Sequence, residues 1–88
     1  MSQPVHTTPE ADGHILEIDD WWRKNRRASP ELFVRELTAS FEFIANTPQI
    51  GRPYRASPLA GTRRLLLKET RYHVYYLPRR DDVIVLAI

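Results

Sequence analysis

The spacing of hydrophobic residues changes once along this 88-residue chain, and that change restricts the fold more than any other feature. Up to residue 46, apolar side chains return every three or four residues, which is typical of amphipathic helices. From residue 62 onward they fall in short segments rich in Leu, Val, Ile and Tyr, which is typical of strands. A chain of this length forms one domain, so both kinds of element share one core. The sequence therefore predicts a single α+β domain.

Two helices are predicted in the first half of the chain. The first starts after Thr7 or Thr8, either of which can cap it, and ends near residue 25. The second is expected to start with Ser29 as N-cap and Pro30 at the first helical position, and to stop near residue 46. Because only about four residues separate them, the two helices should form an antiparallel hairpin.

The strand pattern places one weak edge strand before the helices and three strands after them. The first covers residues 3–7, and the others cover residues 62–68, 72–77 and 83–88. Proline and glycine interrupt residues 47–61, which predicts an irregular loop. The expected order is β-α-α-β-β-β, with an antiparallel sheet packed against the helical hairpin.

Charge is divided unevenly along the chain although the net charge is only +2. Residues 1–45 hold eight acidic and five basic side chains, whereas residues 46–88 hold three acidic and eight basic ones. Eleven of the thirteen basic residues are arginine, which pairs bidentately with carboxylate and phosphate groups. These arginines indicate a partner that is either an acidic protein segment or a nucleic acid. Alternatively, they only solvate the surface of the protein.

Several classes of site are excluded by composition. The chain has no cysteine, which removes disulfides, thiolate nucleophiles and cysteine-based metal sites and fits a reducing cytoplasm. The longest apolar run covers six residues, 83–88, whereas a membrane-spanning helix needs roughly twenty. His6, His14 and His73 lie far apart on different elements, and no catalytic motif is present. We therefore expect no metal, no cofactor and no membrane partner.

The best local signal is a basic and aromatic pair of strands around residues 63–76. Alternation places Arg71, His73 and Tyr75 on one face of a strand and leaves the other tyrosines on the opposite face. Cations beside an imidazole and phenols could hold a phosphodiester and move its proton. Alternatively, one face packs under the helices while Arg and His face water.

Two adjacent tryptophans in the first predicted helix form a second signal. Trp21 and Trp22 point about 100° apart on a helix, so one can join the core while the other stays near the surface. An exposed tryptophan could anchor a partner helix.

Six short segments, taken together and in their order along the chain, match the pattern of a known protein superfamily. They are residues 8–11 (TPEA), 18–22 (IDDWW), 43–48 (FIANTP) with Gly51, Arg64 leading a strand, 71–76 (RYHVYY) and 83–88 (VIVLAI). Together they resemble the ParE/RelE superfamily of bacterial type II toxins, on its ParE-like, plasmid-stabilisation side. The resemblance covers residues 1–88 and implies a single toxin domain.

The resemblance implies two alternative activities. RelE-like members cut messenger RNA on the ribosome with basic residues of the sheet, whereas ParE-like members poison DNA gyrase and are not known as nucleases. Three nuclease positions fall on Arg64, Leu66 and His73, and the last two depart from the basic pattern. These departures favour a stoichiometric gyrase poison over an enzyme. If the chain is a nuclease instead, Arg64, Arg71 and His73 are expected to act on the scissile phosphate.

The resemblance also implies a cognate antitoxin, ParD-like or similar, in a toxin–antitoxin hetero-oligomer. Its C-terminal helix and extended segment are expected to lie over a groove and the sheet of the toxin, and an acidic segment would suit the arginine-rich half. The side chains expected to bind the antitoxin or the target are Trp21, Trp22, Arg63, Arg64, Tyr72 and Tyr75.

Family members normally continue past the last strand into a basic segment, so this chain is expected to end before the usual C-terminal tail. A third hypothesis is therefore a truncated toxin that only binds antitoxin.

Overall fold

The computed structural model describes residues 2–88, which form two helices and five strands. The elements are β1 (Val5–Thr7), α1 (Pro9–Asn25), α2 (Leu32–Asn46), β2 (Arg52–Pro53), β3 (Arg63–Leu66), β4 (His73–Pro78) and β5 (Val83–Ala87). The predicted α+β class and the order β-α-α-β-β-β are confirmed, with the two-residue strand β2 added inside the predicted loop. Neither described helix is long and apolar enough to cross a membrane.

The five strands form one sheet in the order β1-β5-β4-β3-β2. Strands β5, β4, β3 and β2 pair antiparallel, as hairpin connections require, whereas β1 pairs parallel with β5. A parallel neighbour is possible here because the helical hairpin and the other strands separate β1 from β5 along the chain. The sheet is therefore mixed where the sequence predicted an antiparallel one, because β1 runs parallel to β5, which lies between the first strand and the hairpin strands.

The helical hairpin covers one face of the sheet. Alternation along β4 buries Val74 and Tyr76 completely, and on β5 it buries Val83 and Val85. The helices contribute a stripe of buried side chains: Ala11, Trp22, Phe33, Leu37 and Ile44. The expectation that one face of the tyrosine-rich strand packs under the helices is confirmed.

The two helix starts differ in how well the sequence predicted them. Thr8 caps α1, since its Oγ1 accepts a hydrogen bond from the Ala11 N–H at 3.1 Å. The predicted start of α2 at Ser29 and Pro30 is wrong, because the Ser29 N–H donates to the Arg26 carbonyl at 3.0 Å in a turn. Helix α2 begins only after this turn, with Glu31 as an N-cap that makes no side-chain capping bond.

The loop that follows α2 is fastened to the sheet by Tyr76. The buried Tyr76 hydroxyl donates to the Pro48 carbonyl at 2.8 Å and accepts from the Gly51 N–H at 2.7 Å. Burial raises the pKa of the Tyr76 phenol, although the Gly51 N–H and the Arg63 charge act in the opposite direction. The Arg63 Nη1 adds a bond of 2.6 Å to the Gly51 carbonyl. These contacts hold the following residues close enough to β3 to pair with it as β2.

Candidate functional site

The sheet face turned away from the helices, here called the outer face, collects several of the predicted site residues. His73 and Tyr75 alternate on β4 with buried neighbours, so their side chains point to this face. Their cross-strand partners on β3 are Leu66 and Arg64, respectively. The outer face is therefore basic and aromatic at its centre.

Aromatic packing organises the outer face. The Tyr54 ring meets the Tyr75 ring edge-on, with centroids 4.9 Å apart, and the Arg64 guanidinium carbon lies 5.4 Å from the Tyr54 centroid. At this distance the cation is attracted to the ring face. The His73 ring is tilted beside Tyr75 at 6.0 Å. Tyr54 was not predicted as a site residue because it lies in the loop, outside any periodic segment.

A hollow of about 380 Å³ opens beside these rings, and its lining includes Arg52, Arg64, Lys68 and His73. None of the three cations forms an ion pair with a carboxylate among residues 2–88. Such a hollow can receive an anionic group. The His73 ring makes no hydrogen bond within the described part of the chain, so no neighbouring side chain orients it for proton transfer.

The structure separates Arg71 from the other two side chains of the hypothetical nuclease site. Arg71 occupies the turn between β3 and β4 with a positive φ of 72°, and its N–H donates to the Leu67 carbonyl at 2.7 Å. It does not line the hollow that Arg64 and His73 share.

Two of the residues predicted to bind a partner, Arg63 and Tyr72, make contacts within the domain. Arg63 points to the helix side and bonds the Gln49 and Gly51 carbonyls. Tyr72 is half-buried against Phe33, with ring centroids 5.3 Å apart. Arg63 therefore stabilises the loop before β2, and Tyr72 stabilises the contact between the sheet and the helices.

The two tryptophans divide as their spacing predicted. Trp22 is only 8% exposed, and its Nε1 donates to the Tyr72 hydroxyl at 3.4 Å. Trp21 is 42% exposed, and the Arg26 guanidinium carbon lies 4.9 Å from its ring centroid. Of the pair, Trp21 is thus the one that a partner can reach.

An apolar groove between α2 and β3, here called the edge groove, was not predicted. It measures about 450 Å³ and is lined mainly by Ala39, Phe43, Ile50, Leu65, Leu66 and Lys68. Phe43 is 60% exposed and Ile50 is 43% exposed, which is unusual for such large apolar side chains. The available signal was Phe43 itself, since it falls off the apolar stripe of its helix.

Glu36, at one end of the edge groove, clamps the β3–β4 turn to α2. Its carboxylate accepts hydrogen bonds from the Glu69 N–H at 2.8 Å, the Thr70 N–H at 2.9 Å and the Thr70 hydroxyl at 2.6 Å. Partial burial acts to raise the pKa of Glu36, but these three bonds outweigh it and the pKa lies below its ordinary value.

Metal-binding side chains are scattered in the described residues. No group of three or more His, Asp or Glu side chains within residues 2–88 is placed to hold a metal ion.

Comparison with known protein families places the chain in one of them. The family model described as "ParE toxin of type II toxin-antitoxin system, parDE" matches residues 5–88. A search of curated proteins found no match.

Proposed function

The chain belongs to the ParE toxin family of type II toxin–antitoxin systems, and from that premise we propose that it arrests growth by binding DNA gyrase in the cytoplasm. The match extends over residues 5–88, and this is the observation that carries the proposal. The family also implies a cognate antitoxin that keeps the toxin silent. Gyrase is the target because the sequence resembles the ParE-like branch, whose members poison that enzyme.

The composition of the outer face supports a binding role over a catalytic one. Leu66 puts an apolar side chain between Arg64 and Lys68, where the nuclease branch carries a basic residue. His73 has no hydrogen-bonded partner among the described residues to fix its ring, whereas general acid–base catalysis requires an oriented proton carrier. A surface of packed aromatic rings, with cations that form no ion pair among residues 2–88, is well suited to binding an acidic protein surface or a phosphate.

We assign target binding to the outer face, with Arg64 and Tyr75 as its central contacts. The Tyr75 ring packs against the Tyr54 ring, and the Arg64 guanidinium lies over the face of Tyr54. Both side chains are therefore held in place before a target binds. Trp21, on the helical side, is a second accessible anchor for the antitoxin or the target.

The test is a gyrase supercoiling and cleavage assay with the purified protein. The wild-type chain should inhibit supercoiling and trap cleaved DNA, and added antitoxin should relieve the effect. Arg64→Ala should raise the concentration needed by about tenfold or more, because it removes an ordered cation from the binding face. Arg80→Ala removes another exposed arginine, from the turn after β4, and should leave inhibition unchanged. Equal inhibition by Arg64→Ala and Arg80→Ala would show that the outer face does not contact gyrase.

Ribosome-dependent cleavage of messenger RNA is the second candidate, and the shared hollow of Arg64 and His73 favours it. The same preparations, added to translating ribosomes, separate the two functions. Cleavage that His73→Ala abolishes, with no effect of the wild-type chain on gyrase, would replace the gyrase proposal with the nuclease one. Gyrase inhibition that persists in His73→Ala, without RNA cleavage, supports the proposal.

A further inference from the structure

The loop between α1 and α2 (residues 26–31) and the turn between β3 and β4 (residues 67–72) meet at one end of the domain, here called the hairpin end. The Trp22 Nε1 donates to the Tyr72 hydroxyl at 3.4 Å, and the Tyr72 ring packs edge-on against Phe33 near the start of α2. Arg71 precedes Tyr72 and is exposed in the turn. The loop and the turn therefore present their exposed side chains together.

Arginine dominates the charge of the hairpin end. The two cations in the last turn of α1 are each paired with an aspartate one turn earlier, so they neutralise charge within the helix. The exposed carboxylates Glu31 and Glu69 offset only part of the remaining positive charge. Four exposed arginines of this end form no ion pair with a carboxylate among residues 2–88: Arg26, Arg27, Arg35 and Arg71.

Arg26 is held beside the aromatic pair of α1. Its guanidinium carbon lies 4.9 Å from the Trp21 ring centroid and 5.9 Å from the Trp22 ring centroid. The backbone of the loop is also fixed, because the Arg26 N–H donates to the Trp22 carbonyl at 2.9 Å and the Arg26 carbonyl accepts from the Ser29 N–H at 3.0 Å. Trp21 remains 42% exposed. An accessible ring and an ordered cation thus stand side by side.

This combination matches the chemistry by which proteins bind single-stranded nucleic acid. Unpaired bases stack on aromatic rings and guanidinium planes, while nearby arginines pair with the phosphates. Trp21 supplies the ring, and Arg26 and Arg27 follow it within six residues of the chain. Both kinds of contact are therefore available at the hairpin end.

A lipid surface or an apolar partner helix would need several apolar side chains in a row. Of the large apolar side chains that are exposed in residues 2–88, Trp21 alone lies at the hairpin end. Leu16, the other one on α1, is five residues earlier and so lies about 140° around the helix. One ring among cations favours stacking of a base over burial of an apolar surface.

We propose that the hairpin end binds single-stranded nucleic acid, with a base stacked on Trp21 and the phosphates beside it paired with Arg26 and Arg27. Arg71, across the contact between Trp22 and Tyr72, extends the path of the strand. Trp21 lies on the helical side of the sheet, opposite the outer face. The inference goes beyond the proposed function, because it gives the toxin a partner that binds without gyrase or antitoxin.

The first test is an anisotropy titration of a labelled oligothymidylate of about 12 nucleotides with the purified chain, between about 50 and 200 mM salt. Trp21→Ala should weaken binding by about tenfold or more, because the stacked base loses its ring. Arg27→Ala should also weaken binding, and it should reduce the slope of log Kd against log salt by about 0.7 through the loss of one phosphate contact. Arg80→Ala is the matched control, since Arg80 is exposed in the turn after β4, and it should match the wild type in affinity and slope.

The second test is tryptophan fluorescence, which reports stacking directly. The oligonucleotide should quench the wild-type emission, because the base lies against Trp21. Trp21→Phe keeps a ring for stacking and leaves the buried Trp22 as the sole tryptophan. This variant should bind within about threefold of the wild type but lose the quenching. The substituted side chains are exposed, so the variants should fold, and circular dichroism verifies that.

Several results would overturn the inference. Undiminished binding by Trp21→Ala, or equal weakening by Arg27→Ala and Arg80→Ala, would show that the hairpin end does not hold the strand. Weakening by Arg64→Ala alone would move the nucleic acid to the outer face.

Two further controls separate the strand from other anionic partners. Polyglutamate that displaces the oligonucleotide as well as unlabelled oligonucleotide of equal charge does would show that only charge is recognised. Binding to vesicles of anionic phospholipid, without binding to the oligonucleotide, would replace the nucleic acid with a membrane surface. Gyrase inhibition is measured separately in the supercoiling assay, so its failure and the failure of this inference are distinguishable.

Discussion

At Gly51 the backbone passes so close to the sheet that a single added carbon has no room. A Cβ there would lie 2.6 Å from the Tyr76 hydroxyl oxygen and 2.8 Å from the Arg64 carbonyl oxygen. The hydroxyl cannot move aside freely, because it also bonds the Pro48 carbonyl. Glycine is thus required here by a close approach of two segments.

Gly51→Ala should lower the free energy of unfolding by about 2 kcal/mol, since overpacking displaces the Tyr76 bonds and the start of β2. Gly13→Ala is the matched control, because nothing lies within 4 Å of the added carbon in the interior of α1. It should raise the same free energy by about 1 kcal/mol through helix propensity. Urea denaturation measures both. A Gly51→Ala protein as stable as the wild type would show that the Tyr76 contact does not constrain this loop.

At the scale of elements, the Glu36 clamp joins α2 to the β3–β4 turn, and it should make this junction sensitive to acid. Because the hydrogen bonds keep the folded pKa of Glu36 below its unfolded value near 4.5, the clamp contributes stability above that pH. The contribution is lost as the pH falls through the folded pKa. Solvent screening of this partly exposed carboxylate keeps its size to about 1 kcal/mol.

Glu36→Gln should therefore be less stable than the wild type at pH 7 and should approach it as the pH falls to 3. Glu42→Gln, which removes an exposed carboxylate from the same helix, should run parallel to the wild type. Thermal melts across this pH range compare the three proteins. A constant gap between Glu36→Gln and the wild type at every pH would assign the effect to something other than ionisation of the carboxylate.

Secondary-structure elements that depend on residues close together in the chain were predictable from the sequence. The helices follow from spacing within a few turns, and the Thr8 cap follows from one side chain beside Pro9. Strand β2 was not predictable, because two residues including a proline carry no periodic signal. It exists only because Tyr76 and Arg63, far along the chain, hold the loop against the sheet.

The candidate sites also divide into one that local sequence predicts and one that depends on contacts between distant residues. The alternation of β4 predicts the outer face, so His73 and Tyr75 could be placed together with Arg64 across a hairpin. The edge groove depends on where β2 stops pairing, which is a tertiary property. Phe43 alone indicated it, as an aromatic side chain off the apolar stripe of α2.

For the whole molecule, one core joins the two helices to a sheet that includes both ends of the described chain. Val85 is completely buried on β5, and its carbonyl accepts from the Thr8 N–H at the start of α1. Removing two carbons in Val85→Ala should cost about 2 kcal/mol. The loss should be the same whether followed by far-ultraviolet circular dichroism or by fluorescence of Trp21 and Trp22. Separate transitions for the two signals would show that the helical hairpin unfolds independently of the sheet.

The position of β5 between β1 and β4 has a consequence for protein synthesis. A ribosome releases the chain from its N-terminus, so β1 and β4 emerge before the strand that joins them. Until Val83–Ala87 has emerged, β1 has no strand to pair with and β4 pairs only with β3, so the aromatic rings of the outer face lie on an incomplete sheet. The complete sheet, and with it the folded toxin, therefore forms only after β5 has been translated.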